Sequence, residues 1–442
     1  MNRRTALSGM LLGGLIGFAL SPAGCNGAPP PPPSGGTGAF GVVTINGKQK
    51  LYLPVTETTD GGNGEIAVVD VGVVGNGANG APALVTNIDL GLVDQASTTA
   101  GDATVVLAAG GNTHKLWFIN PTTDKITKTI DLDPSLNGSS FSGGGGVVTG
   151  IAMDEANHRA ILSAWNGFLY VDLTSQTVTG SVRVAASENF GFDSTRELII
   201  APFYQCGGAV SSGNGLADAG PPCASYLTSD GGRITDGLNV VNLHTNRVYT
   251  YEDDSAANPL WPLGNEPDSA AVDSATGLAV IPAEGDGNEN LLDLSKAVFN
   301  DDAGTFTAPH TVVDTVSDTG VAVEPTTHLA FFEEEHASHV SVLDLTRAQV
   351  DGGPPAGAEA DGEIPGAPGG GGGWSNLGDP HGIAVTTGIQ NGAAVGFVVF
   401  DSGDGPVWVA RVDLRKMLPL GTGLDAGLMS TVVTMLDATT RE

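Results

Sequence analysis

The chain has 442 residues, and its 49 acidic residues against 18 Lys and Arg give a formal net charge of −31. This charge argues against nucleic-acid binding, because phosphates are recognised by Lys and Arg. The 65 glycines are about twice the usual share of roughly 7 % but follow no three-residue period, which excludes collagen, and a 40 % hydrophobic content excludes wholesale disorder.

The first 24 residues have the layout of an export signal. Arg3 and Arg4 precede a largely apolar run from Ala6 to Leu20, which is too short to span a bilayer. The Ala-Gly-Cys ending at Cys25 resembles a bacterial lipoprotein signal, in which the Cys is lipidated and becomes the first mature residue. Pro22 stands where such signals usually carry Leu, so plain secretion is the alternative. We therefore expect an extracytoplasmic protein, periplasmic or cell-surface, that is anchored to the membrane through a lipid on Cys25.

Residues 25–39 form a predicted tether, with a stiff run from Pro29 to Pro33 followed by loose glycines. The remainder, 40–442, is predicted to be one large domain. Its two cysteines, Cys206 and Cys223, are expected to form a disulfide, because an exported chain meets oxidising conditions. The alternative is a reactive or metal-binding pair.

A short pattern of apolar residues followed by Asp or Asn recurs seven times. Four of the six intervals between these Asx residues are 50 to 52 residues, and the longer two, of 70 and 69, contain predicted insertions near 205–232 and 351–375. Because Asp and Asn side chains bond the backbone two residues on, each copy is predicted to mark a hairpin turn rather than a catalytic residue. The seven Asx residues are Asp70, Asn120, Asp172, Asn242, Asp293, Asp344 and Asp413.

Each unit of about 50 residues contains four short apolar or alternating runs, which predicts an all-β fold and a β-propeller blade. The stretch from Asp379 to Val385, Asp-Pro-His-Gly-Ile-Ala-Val, and the repeated apolar-Asp-Leu hairpins resemble the YVTN-type repeats of extracytoplasmic bacterial propellers. The resemblance implies seven blades of four antiparallel strands, which agrees with the seven copies. A strand from Ser430 to Leu436 is predicted to complete the last blade or help close the ring.

The loops that enter first strands and those that join second to third strands are predicted to meet on one face, around the central channel. The oxygen-rich loop from Glu284 to Glu289 has the ligand type that Ca²⁺ prefers, and the loop from Glu333 to His339 has the imidazole and carboxylates that suit Zn²⁺. The alternative for both is a solvated acidic loop, and for His381 a capping or surface role. The candidate metal ligands are Glu266, Asp268, Glu284, Asp286, Glu333, His336, His339 and His381.

Three functions are compatible with this pattern. The first is a non-enzymatic binding platform for an envelope protein or a glycan, favoured because no nucleophile elbow, phosphate loop or His-Glu-x-x-His motif is present. The second is a metal-dependent hydrolase resembling lactonase-type propellers, with a divalent ion at the channel mouth that polarises a carbonyl and activates water. The third is a passive envelope or surface-layer module.

Overall fold

The computed structural model describes most strands of the predicted domain and their tighter turns. The described residues are 40–46, 48–56, 64–73, 83–91, 96, 98–110, 114–132, 148–164, 167–184, 189–203, 236–252, 263, 267, 269–283, 288–314, 318–325, 327–334, 339–348, 350, 359–363, 383–390, 393–400, 408–413 and 435–437. The predicted signal and tether lie outside these residues. Cys25, Cys206 and Cys223 also lie outside them.

The described residues form seven sheets, numbered here in chain order. Sheet 1 contains β1 (Gly41–Ile45), β2 (Lys48–Thr56), β3 (Gly64–Val73) and β4 (Ala83–Asp89), and sheet 2 contains β5 (Thr98–Gly101), β6 (Val106–Ala109), β7 (Lys115–Asn120) and β8 (Lys125–Asp131). Sheet 3 contains β9 (Val148–Asp154), β10 (Arg159–Ala164), β11 (Gly167–Asp172) and β12 (Thr177–Arg183). Sheet 4 contains β13 (Gly191–Asp193), β14 (Leu198–Phe203), β15 (Gly237–Asn242), β16 (Arg247–Tyr251), β20 (Val298–Asn300) and β21 (Thr305–Thr307).

Sheet 5 contains β17 (Ala271–Asp273), β18 (Leu278–Ala283), β19 (Asn288–Asp293) and β22 (His310–Asp314). Sheet 6 contains β23 (Asp318–Glu324), β24 (Leu329–Glu334), β25 (His339–Asp344) and β26 (Glu359–Glu363), and sheet 7 contains β27 (Ile383–Gln390), β28 (Ala393–Phe400), β29 (Trp408–Asp413) and β30 (Met435–Asp437). The only helical elements among the described residues are two 3₁₀ turns, Glu155–Asn157 and Leu294–Lys296. None of the described helical segments has the length and apolar character needed to cross a membrane.

The fold is all-β with a propeller arrangement, but the prediction of seven blades of four antiparallel strands is wrong. Six sheets are four-stranded blades, whereas sheet 4 has six strands. The difference arises because β20 and β21, which lie between the third and fourth strands of sheet 5, join the outer edge of sheet 4 through a parallel pairing of β21 with β16. The strand predicted from Ser430 to Leu436 overlaps β30 (Met435–Asp437), the outer strand of sheet 7, at its last two residues, and residues 430–434 lie outside the described residues.

Neighbouring sheets bury their apolar faces against each other. In β6, Val106 and Ala108 belong to the core shared with sheet 1, while Leu107 and Ala109 belong to the core shared with sheet 3. Similar cores join sheets 3 and 4, sheets 4 and 5, and sheets 5 and 6. The inner strands are therefore apolar without alternation, because both of their faces are buried.

The predicted Asx turns are confirmed at five of the seven positions. At each, the side-chain Oδ1 accepts a hydrogen bond of 2.6 to 3.0 Å from a backbone N–H two or three residues on. These bonds end the third strand of each sheet and begin the turn that follows it. The five residues are Asn120, Asp172, Asn242, Asp293 and Asp344.

A buried threonine joins the innermost strands of sheets 1 and 2. The Thr99 hydroxyl accepts a 2.7 Å hydrogen bond from the Gly41 N–H and donates one to the Tyr52 carbonyl. The strands approach closely at Gly41, where a Cβ would stand 3.3 Å from Ala100 Cα. A single hydroxyl thus satisfies two backbone groups of the neighbouring sheet.

Replacing Thr99 by Val keeps the shape of the side chain but leaves the Gly41 N–H and the Tyr52 carbonyl without this partner. We expect the free energy of unfolding to fall by about 1 to 3 kcal/mol, the usual cost of an unsatisfied buried group. Urea denaturation measures the change, with Thr129→Val as the control because Thr129 is exposed on β8. Equal stability of the two variants would contradict the inter-sheet role of Thr99.

Candidate functional site

The antiparallel order of the strands gives the molecule two distinct faces. The turns from first to second and from third to fourth strands lie on one face, here called the turn face. The connections that enter first strands and that join second to third strands lie on the other, here called the loop face. Eight turn-face connections are only four residues long: 102–105, 121–124, 155–158, 173–176, 194–197, 243–246, 274–277 and 325–328.

The turn face contains buried carboxylates at the ends of four successive first strands, which are Asp154, Asp193, Asp273 and Glu324. Each accepts a hydrogen bond from the backbone of its own turn. Three also have a charged or imidazole partner: Arg159 Nε lies 2.6 Å from Asp154 Oδ2, Arg196 Nη1 2.9 Å from Asp193 Oδ2, and His328 Nδ1 2.7 Å from Asp273 Oδ2. These carboxylates therefore hold turns in place.

Successive turns are also bonded across sheets 3 to 6. Asn157 Nδ2 donates to Glu197 Oε1 at 3.0 Å, and the Ser194 N–H donates to Ser274 Oγ at 3.1 Å. The contact between His328 and Asp273 continues the series from sheet 6 to sheet 5. The polar groups of this face are thus largely used in joining one sheet to the next.

Two groups near the turn face have shifted pKa values with structural causes. Burial alone would raise the pKa of Asp293, but hydrogen bonds from Ser295 and the nearby Lys296 outweigh it and lower that pKa. Burial raises the pKa of Tyr170 to about 12, although Arg159 acts in the opposite direction. Since a general acid or base works best with a pKa near the operating pH, neither group is suited to proton transfer at neutral pH.

The metal ligands were predicted for the loop face, and six of the eight lie outside the described residues: Glu266, Asp268, Glu284, Asp286, His336 and His381. The structure does place two of their sequence neighbours together, because Pro267 forms a backbone bridge with Ala283. Pro267 stands between Glu266 and Asp268, and Ala283 directly precedes Glu284.

The remaining two candidates, Glu333 and His339, are not paired with each other in sheet 6. Glu333 pairs with Val340 across β24 and β25. His339 is instead paired with Glu363 on β26, and Asp318 is paired with Glu334. Sequence spacing could not reveal these neighbours, because the register depends on the connection between β24 and β25.

A fully buried amide anchors the loop-face end of sheet 5. Asn290 Nδ2 donates to the Leu263 carbonyl at 2.9 Å and to the Ile281 carbonyl at 3.1 Å, and Asn290 Oδ1 lies 2.9 Å from His310 Nε2. Leu263 belongs to the connection between sheets 4 and 5, so this bond fixes one point of that connection. Next to it, Glu289 is also fully buried, although the sequence placed it in a solvated or metal-binding loop.

Among the residues whose side chains are described, no group of three or more His, Cys, Asp or Glu is arranged to hold a metal ion. The loop-face candidates outside those residues remain predictions.

Comparison with known proteins gives no family for this chain: no family model and no curated protein matches it. Similar solved structures include KlHsv2 with loop 6CD replaced by a Gly-Ser linker, at 6% identity and a TM-score of 0.46, covering 86% of this chain and 93% of that chain. Another is Kuenenia stuttgartiensis hydrazine synthase, at 11% identity and a TM-score of 0.45, covering 90% of this chain and 99% of that chain. At these values the likeness carries no argument about function.

Replacing Asn290 by Leu should lower the free energy of unfolding by roughly 2 kcal/mol or more, because the Leu263 and Ile281 carbonyls lose a buried donor. Chemical denaturation measures the loss. The matched control is Asn87→Leu, since Asn87 Oδ1 is buried without a hydrogen-bond partner, so this change removes no bond to that oxygen and should destabilise the protein less. Similar losses in both variants would show that Asn290 does not act as an anchor.

Proposed function

We propose that this chain is a membrane-anchored extracytoplasmic propeller that acts as a non-enzymatic binding platform, with the loop face as its recognition surface. The longest connections carry the proposal. Four connections between the described strands exceed 18 residues, and three of them, 204–236, 252–270 and 364–382, join strand ends on the loop face, against 414–434 on the turn face. Eight other turn-face connections have only four residues and are held by Asp, Glu and Asn side chains. Long connections on a rigid scaffold are where proteins usually place recognition.

The distribution of charge supports a positively charged partner. Residues 252–379 contain 24 acidic residues and only two basic ones, Lys296 and Arg347. A field of one sign selects partners of the opposite sign and speeds their encounter. An envelope protein with a basic surface therefore fits this platform better than a neutral glycan does.

Photo-crosslinking in cells that make the protein tests which face binds. A photoreactive amino acid would replace Asn189 or Asp131 on the loop face, and Ala156 or Ala275 on the turn face as matched controls. We expect a discrete crosslinked partner from loop-face positions alone. Crosslinks from the turn face alone would contradict the proposal, and so would turnover of a lactone or ester that Glu266→Gln or His381→Ala abolishes, because that result favours the hydrolase.

The anchor is proposed from the sequence around Cys25. Replacing Cys25 by Ser removes the thiol that would carry the lipid, so the variant should lose incorporation of labelled fatty acid and move from the membrane fraction to the soluble fraction. Cys206→Ser is the control, because it changes a cysteine that is not expected to be lipidated. Unchanged labelling of Cys25→Ser would contradict the lipid anchor.

A further inference from the structure

Two buried asparagines occupy equivalent positions in sheets 4 and 5. Asn239 lies three residues before Asn242, and Asn290 lies three residues before Asp293, the Asx residues that end the two third strands. Both asparagine side chains are fully buried. Because a buried amide costs free energy unless its polar atoms are bonded, the two asparagines indicate a role that sheets 1 to 3 lack. The residues at this position in sheets 1 to 3 are apolar and buried: Ala67, Trp117 and Leu169.

Each of the two amides is held by the fourth strand of its own sheet. Thr250 Oγ1 on β16 donates a 2.9 Å hydrogen bond to Asn239 Oδ1. In the same way, His310 Nε2 on β22 lies 2.9 Å from Asn290 Oδ1. The Asn290 amide nitrogen donates to two carbonyls, one of which belongs to the connection 252–270. A contact from the fourth strand thus fixes the orientation of both amides.

The two asparagines also stand where long loop-face connections meet the sheets. Asn239 is paired with Ala201, two residue pairs from the end of the β14–β15 ladder, where the connection 204–236 begins. Asn290 holds the connection 252–270 at Leu263, whose side chain is buried in the core between sheets 4 and 5. Two of the three long loop-face connections therefore meet a sheet that contains a buried amide.

We propose that Asn239 and Asn290 are positioning residues of the loop-face recognition surface, an inference that rests on the proposed binding platform. They hold the connections 204–236 and 252–270 at fixed points of sheets 4 and 5. Fixing a connection in advance raises affinity, because its ordering then costs less when the partner binds. The connection 252–270 contains five acidic residues and no basic one, so the partner surface that it selects bears Lys and Arg.

Crosslinking in cells tests the positioning role, with a photoreactive amino acid at Asn189 of the full chain as the probe. We expect Asn290→Leu to lower the yield of the crosslinked partner about tenfold, because the connection 252–270 loses its buried anchor. Thr99→Val is the control, since it removes a buried hydrogen bond between sheets 1 and 2 and should leave the yield unchanged. An undiminished yield from folded Asn290→Leu would overturn this inference and leave the platform standing. No crosslink from the parent chain would overturn both.

A milder pair of variants covers failure of Asn290→Leu to fold. Thr250→Val keeps the shape of the side chain but removes the hydroxyl that bonds Asn239, whereas Thr250→Ser keeps the hydroxyl. We expect Thr250→Val to lower the crosslink yield about threefold and Thr250→Ser to retain it. Yields are compared at a temperature at which urea denaturation shows both variants to be folded, so that a loss of stability alone does not lower them. Equal yields from the two folded variants would overturn the inference.

Discussion

The packing of each sheet against its neighbours is the constraint on which the rest of the structure depends. A sheet that is apolar on both faces cannot bury them alone, so the inner strands must approach the next sheet closely. At Gly191 a Cβ would stand only 2.8 Å from a methyl group of Val272 on the neighbouring innermost strand. Small residues at such positions let neighbouring sheets approach closely. Polar side chains between the sheets can then form hydrogen bonds from one sheet to the next. The hydroxyl of Thr99 and the imidazole of His328 both lie between sheets for this reason.

The repeat was predictable because its physical cause is local. An Asx side chain that ends a third strand bonds the next two or three residues, so its position follows the period of the chain and could be found without the structure. The extra hairpin of sheet 4 gave no such signal. It lies between Asp293 and Asp344, an interval of 51 residues that matches the ordinary repeat, so the period conceals it. The outer strand β26, Glu-Ala-Asp-Gly-Glu, has no apolar alternation and lies inside a predicted insertion.

The candidate site was less predictable, because its geometry depends on register and burial. Glu333 and His339 are close in sequence, yet Glu333 is paired with Val340 and His339 with Glu363. Asn290 and Glu289 belong to an oxygen-rich stretch that looks solvated, yet both are fully buried. Polar residues at the end of a strand can either face solvent or anchor a connection, and composition alone does not separate the two.

The two faces of the molecule differ in how their connections are held in place. On the turn face, short connections and buried carboxylates join successive sheets, so a change in a turn also disturbs the contact with the next sheet. On the loop face, anchors are fewer among the described residues, and they concentrate where sheets 4 and 5 meet. There β21 of the hairpin pairs with the outer edge of β16, and the Asn290 side chain donates a hydrogen bond to the Leu263 carbonyl. The connection from Glu252 to Ala270 therefore starts at the first of these contacts, where the Glu252 N–H donates to the Phe306 carbonyl, and is held at Leu263 by the second, so two of its points are fixed to sheets 4 and 5.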